Sequence, residues 1–472
     1  MPLELPSDIW IVILQYVPQR SLLATRALSS SFYDWSLPFL YRHFNYHPKT
    51  HVSVEHRTRY HPPSVVQNEL DRLTFWSSDK VSRHVRTAHV SAFGYLMQCS
   101  PELVAAIFST VFRFTHLTRF SCDFCGHRVD VPALVLASLQ HLREVHIHGG
   151  LLCCPTVPAV PSIKLSVEYF GYTDMSLLLM GPGPLGTAAS YLSMLDPRTL
   201  RSLTLATGDD REVALRGCRC ETCNIARRHR IGLQHFNPDK KTMATLINLR
   251  RLSISFAWTE RAEMYAAIAP FPALEELIVE LTQDCTRWMT MPFDPPTPLA
   301  PGLRRLSAPA VLIPLAFALE GAAHLTELSI PQDNIPDVLH ALRSTAFDAK
   351  SITALALRVL LNADVCERTL LCDVLAYFPY LTKLALHIWA SKSEVIVPSH
   401  NVSYVSTKLV QILSGPPALQ KAIIRWRVEK VQSPIEVLHL ESWVHPRLKE
   451  VQLGAVEVLF SSQTGGPFGL SD

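Results

Sequence analysis

Residues 249–254 read LRRLSI and residues 274–279 read LEELIV, two copies of one unit, apolar-x-x-apolar-x-apolar. The same unit starts at Leu142, Leu200, Leu303, Leu325, Ile352, Leu381, Leu419 and Leu448, with weaker copies at Val85, Leu117 and Val160. From Leu249 through Leu274, Leu303, Leu325 and Ile352 to Leu381 the copies step by 25, 29, 22, 27 and 29 residues. The second half of each unit alternates apolar and polar, which makes a short strand with one face turned to a core. The twenty or so residues between units must return the chain to the start of the next strand, and a helix does this compactly; residues 259–269 have the length and composition for one. Pro272, Pro301, Pro379, Pro417 and Pro446 stand just ahead of strands, where proline stops a helix and favours an extended entry. One copy cannot bury its own apolar edge, but a stack can.

On these residues the chain resembles leucine-rich-repeat proteins, strongly in the strands and poorly elsewhere. The Asn or Cys that the family places after the strand is replaced by Ala257, Thr282, Val311, Asp333 and Trp389, so irregular turns are expected. The resemblance implies an α/β solenoid with a parallel sheet on its concave side. Its outward strand positions would be the binding surface, among them Glu144, His146 and His148, then Arg251, Glu276 and Glu280. Toward the C-terminus they turn basic, and Arg358, Lys383, His387, Trp389 and Arg425 are the candidate substrate contacts, since Arg and Trp are favoured interface anchors.

The first 44 residues have a different pattern. Ile9, Ile13, Tyr16 and Val17 share one face of a helix, with Ser7 as its expected N-cap and Asp8 in the first turn. Pro18 ends that helix; a second is expected through residues 21–28 and a third through 32–41. Three helices of this size bury too little surface to stand alone. Trp10, Ile11 and Leu14 fall off the assigned internal face, so an apolar surface is expected to remain for a partner.

Leu5-Pro6, Asp8-Ile9, Ile13-Leu14, Val17-Pro18, Leu22-Leu23, Arg26, Leu28-Ser29, Phe32 and the Leu37–Tyr41 ending together resemble an F-box, departing mildly at Leu28, where Val is commoner. The whole chain looks like an F-box protein with irregular C-terminal leucine-rich repeats, of fungal type. The resemblance implies docking on a Skp-type adaptor and, through it, a cullin. The implied adaptor contacts are Leu5, Pro6, Ile9, Trp10, Ile13, Leu14, Leu22, Leu23, Leu37, Pro38 and Leu40.

Composition narrows the class. The chain has 472 residues, of which 48% are hydrophobic and 18% charged, enough to fold over most of its length. A formal charge of +3 gives no nucleic-acid signature. Acids at Glu4 and Asp8 ahead of a short apolar run do not make a signal peptide, and the longest apolar stretch, 308–319, is broken by Pro309 and Pro314. Eleven irregularly spaced cysteines fit reduced thiols in cytoplasm or nucleus.

Four motifs invite chemistry. Cys218, Cys220 and Cys223 with His229 could hold a structural zinc in the 49-residue step from Leu200 to Leu249, although only one ligand knuckle is visible. Cys122 and Cys125 are better explained by the repeat, Cys122 as an inward apolar residue. Residues 181–186, GPGPLG, lack the backbone donors and the Gly-Lys-Ser/Thr of a phosphate loop. The histidines at 47, 51, 56 and 61 have no regular ligand spacing and read as solvated linker.

The sequence thus predicts an F-box at 1–44, a His/Pro linker at 45–80, a repeat solenoid at 81–460 with an insertion at about 207–245, and a flexible tail at 461–472. The implied function is a non-catalytic substrate receptor of a cullin-type ubiquitin ligase, with no cofactor required. The alternatives are an F-box scaffold uncoupled from ubiquitylation, and a zinc-dependent enzyme centred on residues 218–223.

Overall fold

The computed structural model describes residues 5–47, 63–91, 101–123, 130–148, 151–153, 164–174, 194–207, 246–256, 271, 273–281, 302–313, 324–343, 349–361, 365–390, 416–427 and 450–455. They fall into two compact units, Met1–Leu249 and Arg250–Asp472. No helix among the described residues is long and apolar enough to cross a membrane.

The first unit opens with three helices, α1 (Ser7–Gln15), α2 (Gln19–Thr25) and α3 (Ser30–Leu40). Pro6, not Ser7, occupies the N-cap of α1; Ser7 is the first helical residue and donates its hydroxyl hydrogen to Asp8 at 3.0 Å. Pro18 caps α2 instead of closing α1. Ser29 is a true N-cap, accepting from the Phe32 amide at 3.2 Å.

Two residues later the chain enters β1 (His43–Tyr46), and the sheet has begun. Helices α4 (Pro63–Ser77) and α5 (Asp79–Ser82) follow, then β2 (Thr87–Ser91), α6 (Pro101–Phe112) and β3 (Arg119–Asp123). Next come β4 (Asp130–Pro132), α7 (Ala133–Ser138), β5 (Glu144–His148), β6 (Leu151–Cys153), β7 (Tyr169–Asp174) and β8 (Ser202–Thr207). Strands β1, β2, β3, β5, β7 and β8 pair in that order, all parallel; β4 and β6 form a separate parallel pair.

The second unit continues the theme with β9 (Arg251–Phe256), β10 (Glu276–Leu281), β11 (Arg305–Ser307), β12 (Glu327–Asn334), α8 (Ile335–Arg343), β13 (Ala354–Leu361), α9 (Val365–Ala376), β14 (Lys383–Ala390), β15 (Lys421–Arg427) and β16 (Glu450–Ala455). The eight strands pair parallel in chain order. Both ladders are open and parallel, as an α/β repeat fold requires.

Register follows the repeat. Leu252, Leu277, Leu306, Leu328, Leu355, Leu384, Ala422 and Val451, all in the same position of their copies, are successive partners. The row from Leu252 to Ala422 is buried, and a one-residue slip would turn it to the other face, so burial fixes the pairing. The unit is also longer than the sequence pattern showed. Phe114, Leu139, Leu246, Phe271 and Phe378 stand three residues ahead of Leu117, Leu142, Leu249, Leu274 and Leu381 and are buried. Each accepts, through its carbonyl, a hydrogen bond of 2.9–3.3 Å from the amide of that leucine, closing a turn before the strand.

Two sequence expectations need correction. The strand between β5 and β8 comes from Val167, Phe170 and Tyr172, all buried, and not from a copy starting at Val160, which lies outside the described residues. The supposed linker 45–80 holds the end of β1 and two helices; only residues 48–62 of it lie outside the described residues. Aromatic packing explains why this stretch is built in. The Tyr41 ring meets Phe75 and Trp76 edge-on at 5.6 and 5.5 Å, and Phe44 meets Trp76 at 5.1 Å and Phe114 at 5.0 Å. The predicted return helix at 259–269 and the tail at 461–472 lie outside the described residues.

Candidate functional site

Helix α1 is apolar on two faces, and the structure chooses between them. Trp10, Leu14 and Val17, at i, i+4 and i+7, turn inward. Leu14, Leu22 and Leu40 form the core, with Val17, Phe32, Trp35, Phe39 and Tyr41 packed against it, and Leu37 is buried as well. Trp10 meets Phe32 edge-on at 4.9 Å, and Phe32 meets Trp35 at 5.5 Å. Ile9, Val12, Ile13 and Tyr16, at i, i+3, i+4 and i+7, make the opposite stripe and are exposed.

The expected faces are therefore exchanged for Ile9, Ile13 and Tyr16 on one side and Trp10 and Leu14 on the other, while Val17 is packed inward and Ile11 is exposed, as expected. Helical spacing identifies a stripe but not which of two stripes is buried; here the aromatic contacts of Trp10 decide. Of the implied adaptor contacts, Leu5, Pro6, Ile9, Ile13, Leu23 and Pro38 are exposed, and Trp10 is half-buried. Leu14, Leu22, Leu37 and Leu40 are corrected to core residues of the helices themselves. Val12, Tyr16 and Leu28 join the exposed set; the first two were legible as the second helical stripe.

The outward face of the first ladder is rich in imidazole. His43 Nδ1 shares a hydrogen bond with Thr87 Oγ1 (2.7 Å), His47 Nδ1 with Ser91 Oγ (2.9 Å) and His89 Nδ1 with Ser121 Oγ (2.8 Å). His148 Nδ1 lies 2.9 Å from Asp123 Oδ1. Three of the bonds reach to the next strand and one to the preceding strand, so the face is tied laterally. Arg119 pairs with Glu144, and the Tyr169 hydroxyl shares a hydrogen bond with Thr204 at 3.0 Å. Gly171 makes the centre of this face possible: a Cβ there would lie 2.9 Å from His146 Nδ1 and 3.2 Å from the Tyr169 ring. His146 and Tyr169 stack, tilted, at 4.4 Å over that gap. Extending the repeat register back to β1 and β2 would have placed His43, His47 and His89 on this face from the sequence.

Burial, above all, holds the His146 imidazole below its ordinary value of 6.5, with Arg119 lowering it further against the opposing pull of Glu144. His89 and His43 are lowered in the same way, burial first. A depressed histidine takes up its proton more readily in the unfolded chain, so stability is full above the unfolded pKa and is lost as pH falls through the folded one. Thermal unfolding followed from about pH 7 to about pH 5 should show a falling midpoint, and His146→Gln should flatten that slope. A midpoint that rises on acidification would contradict the assignment.

The second ladder puts the candidate substrate contacts together. Arg358, His387 and Arg425 are register partners on β13, β14 and β15; Lys383 is the partner of Lys421, and Trp389 pairs with Leu360 and Arg427. Lys383 is exposed, and Arg358 and His387 are half-buried. Cys218, Cys220, Cys223 and His229 lie outside the described residues, as does Cys125. Among the described residues no group of three or more His, Cys, Asp or Glu side chains is placed to hold a metal ion. Cys122 is buried, as its inward position predicts, and burial pushes its thiol pKa up.

Residues 2–42 match the F-box domain family. No curated protein matches the chain. Among solved structures the chain is similar to one in the mouse RP105/MD-1 complex, at 13% identity over 78% of this chain and 54% of that one, with a TM-score of 0.35. It is similar also to one in the TLR13–ssRNA13 complex, at 11% identity over 79% and 50%, with a TM-score of 0.36. A Bacteroides fragilis protein gives 11% identity over 82% and 79%, with a TM-score of 0.30. The chain spans about half the length of the first two.

Proposed function

We propose that this chain is a substrate receptor of a cullin-type ubiquitin ligase, its F-box helices docking a Skp-type adaptor and its repeat sheet holding a protein substrate. The observation that carries the reading is the exposed stripe Ile9, Val12, Ile13 and Tyr16, which lies inside the segment that matches the F-box family. An apolar helix face that the chain leaves uncovered beside its own well-filled core is the pattern of a docking surface. The pairing of an F-box with irregular repeats, of the fungal type, belongs to the same reading.

On this reading the chain supplies no acid, base or nucleophile. Ubiquitin transfer would be accelerated by holding the substrate near the charged enzyme, which raises effective concentration. The protein would work in cytoplasm or nucleus, where that machinery operates.

Co-expression of the full chain with a Skp-type adaptor tests the proposal. A one-to-one complex on size exclusion, dependent on residues 1–44, is the expected result. A soluble, folded chain that elutes without the adaptor would overturn it.

A further inference from the structure

The chain's formal charge of +3 averages over one sheet edge that is locally basic. Strands β2, β3 and β5 are neighbours, and His84, His116 and His141 hold the same position in the turns that lead into them. Each stands just ahead of a buried residue, Val85, Leu117 or Leu142. The Thr118 amide donates to the Arg86 carbonyl and the Arg143 amide to the Thr118 carbonyl, both at 2.8 Å, so the strand register continues into these turns. Arg83, Arg86 and Arg113 flank the imidazoles there. Arg83, Arg113, His116 and His141 are exposed, and His84 and Arg86 are half-buried.

These side chains meet one another and no acid. Arg83 donates from Nε to His84 Nε2 at 3.3 Å, and Arg86 donates from Nη1 to the carbonyls of Arg83 and Val85 at 2.9 and 3.5 Å. The His116 and His141 rings stack, with centroids 5.3 Å apart and an interplanar angle of 20°. Among the described residues none of the cluster forms an ion pair, and Glu144 and Glu168 beyond it are taken by Arg119 and Arg143. Desolvation, then Arg83, Arg86 and His116, hold the His84 imidazole below its ordinary value of 6.5. Desolvation, then Arg86 and His141, do the same to His116. The outward face differs, since there Asp123 opposes the shift of His89 and Glu144 that of His146. A cluster of one sign concentrates counter-ions at the surface.

We propose that this edge binds single-stranded nucleic acid, with phosphates on the arginines and a base on the His116–His141 stack. The proposal goes beyond the receptor reading and does not rest on it. The planar fork of arginine suits a phosphate, and successive turns repeat about every 4.8 Å along the edge. Both stacked rings are exposed, so an unpaired base can extend the pair, as bases do on aromatic side chains. The carboxylates of an acidic peptide would use the arginines and leave the stack idle. A duplex keeps its bases stacked on each other.

The test uses the full chain and a fluorescein-labelled oligouridine of about a dozen nucleotides, read by anisotropy at about pH 7.5 and at low and moderate salt. Binding that weakens with salt is expected, with a loss of about tenfold or more in Arg83→Glu/Arg113→Glu. Arg83→Gln/Arg113→Gln, a milder change, should fall between. His116→Ala/His141→Ala should lose about fivefold or more and keep the wild-type salt slope, because it removes stacking and no phosphate contact. A charge-matched control in the second unit, Arg304→Glu/Lys383→Glu, should bind like the wild type. All the substituted side chains are exposed, so each variant should keep the wild-type melting temperature. No binding by the wild type, an equal loss in the control, or unaltered affinity in the histidine variant would each overturn the proposal. So would tighter binding of a poly-glutamate peptide or of a duplex of the same length.

Discussion

Ile9→Glu combined with Ile13→Glu should abolish the proposed capture of a Skp-type adaptor while the chain keeps its melting temperature. Both side chains are exposed, at 46% and 40%, so charge there costs the free chain little. In a complex each would be buried, and burial of an isoleucine is worth about 1.5–3 kcal/mol. Because less than half of each side chain remains to be buried, losing both contacts, at tenfold per 1.4 kcal/mol, weakens binding by roughly one to two orders of magnitude before the cost of burying the new charges is added. Leu14→Glu is the informative contrast. Leu14 is 2% exposed, so that variant should lose capture only because the helices unfold, with a matching loss of helical signal. Wild-type capture by the Ile9/Ile13 variant would remove α1 from the docking face.

Phe44→Ala should be strongly damaging to the first unit. The ring is fully buried, stacked on Tyr46 at 5.7 Å and met edge-on by Trp76 and Phe114. Truncating a buried phenylalanine costs about 3–5 kcal/mol, and at this size each kcal/mol moves the midpoint by roughly 2–4 °C. Phe75, half-exposed in the same cluster, should cost far less when truncated. Differential scanning fluorimetry separates the two. Limited proteolysis then asks whether the loss is shared. If Phe44→Ala frees the N-terminal helices while the sheet melts as before, the cluster does not couple them.

The ladder was legible because its signal is redundant: each Leu-x-x-Leu-x-Leu copy states its own register, and ten copies agree. The turn residues Phe114, Phe271 and Phe378 were missed because a single apolar residue three positions before a strand carries no periodicity. The first strand was missed for a related reason. Tyr41, Phe44 and Tyr46 fill the repeat positions with aromatics, but Tyr41 read as the end of a helix and Tyr46 as the start of a His/Pro linker. On α1 the pattern held two solutions of equal spacing, and only the edge-on contact of Trp10 with Phe32, a long-range fact, separates them. Glu69 shows the limit from the other side. A charged residue in α4 is buried because Arg72 reaches it at 3.2 Å, and no spacing rule predicts that.

The two-residue joint between α3 and β1 gives the first unit the character of a ruler. Tyr41 and Arg42 are all that separate helix from strand, and the Arg42 carbonyl is taken by the amides of Arg86 and Thr87, so the joint has no slack. A partner seated on α1 would thus be held at a set distance from the later strands of the first unit, graduated in steps of about 4.8 Å. Inserting or deleting one copy between β2 and β3 would shift every later strand of the first unit by one graduation and leave its outward side chains untouched. Reach and recognition can then be tuned independently, by counting strands in one case and by changing outward side chains in the other.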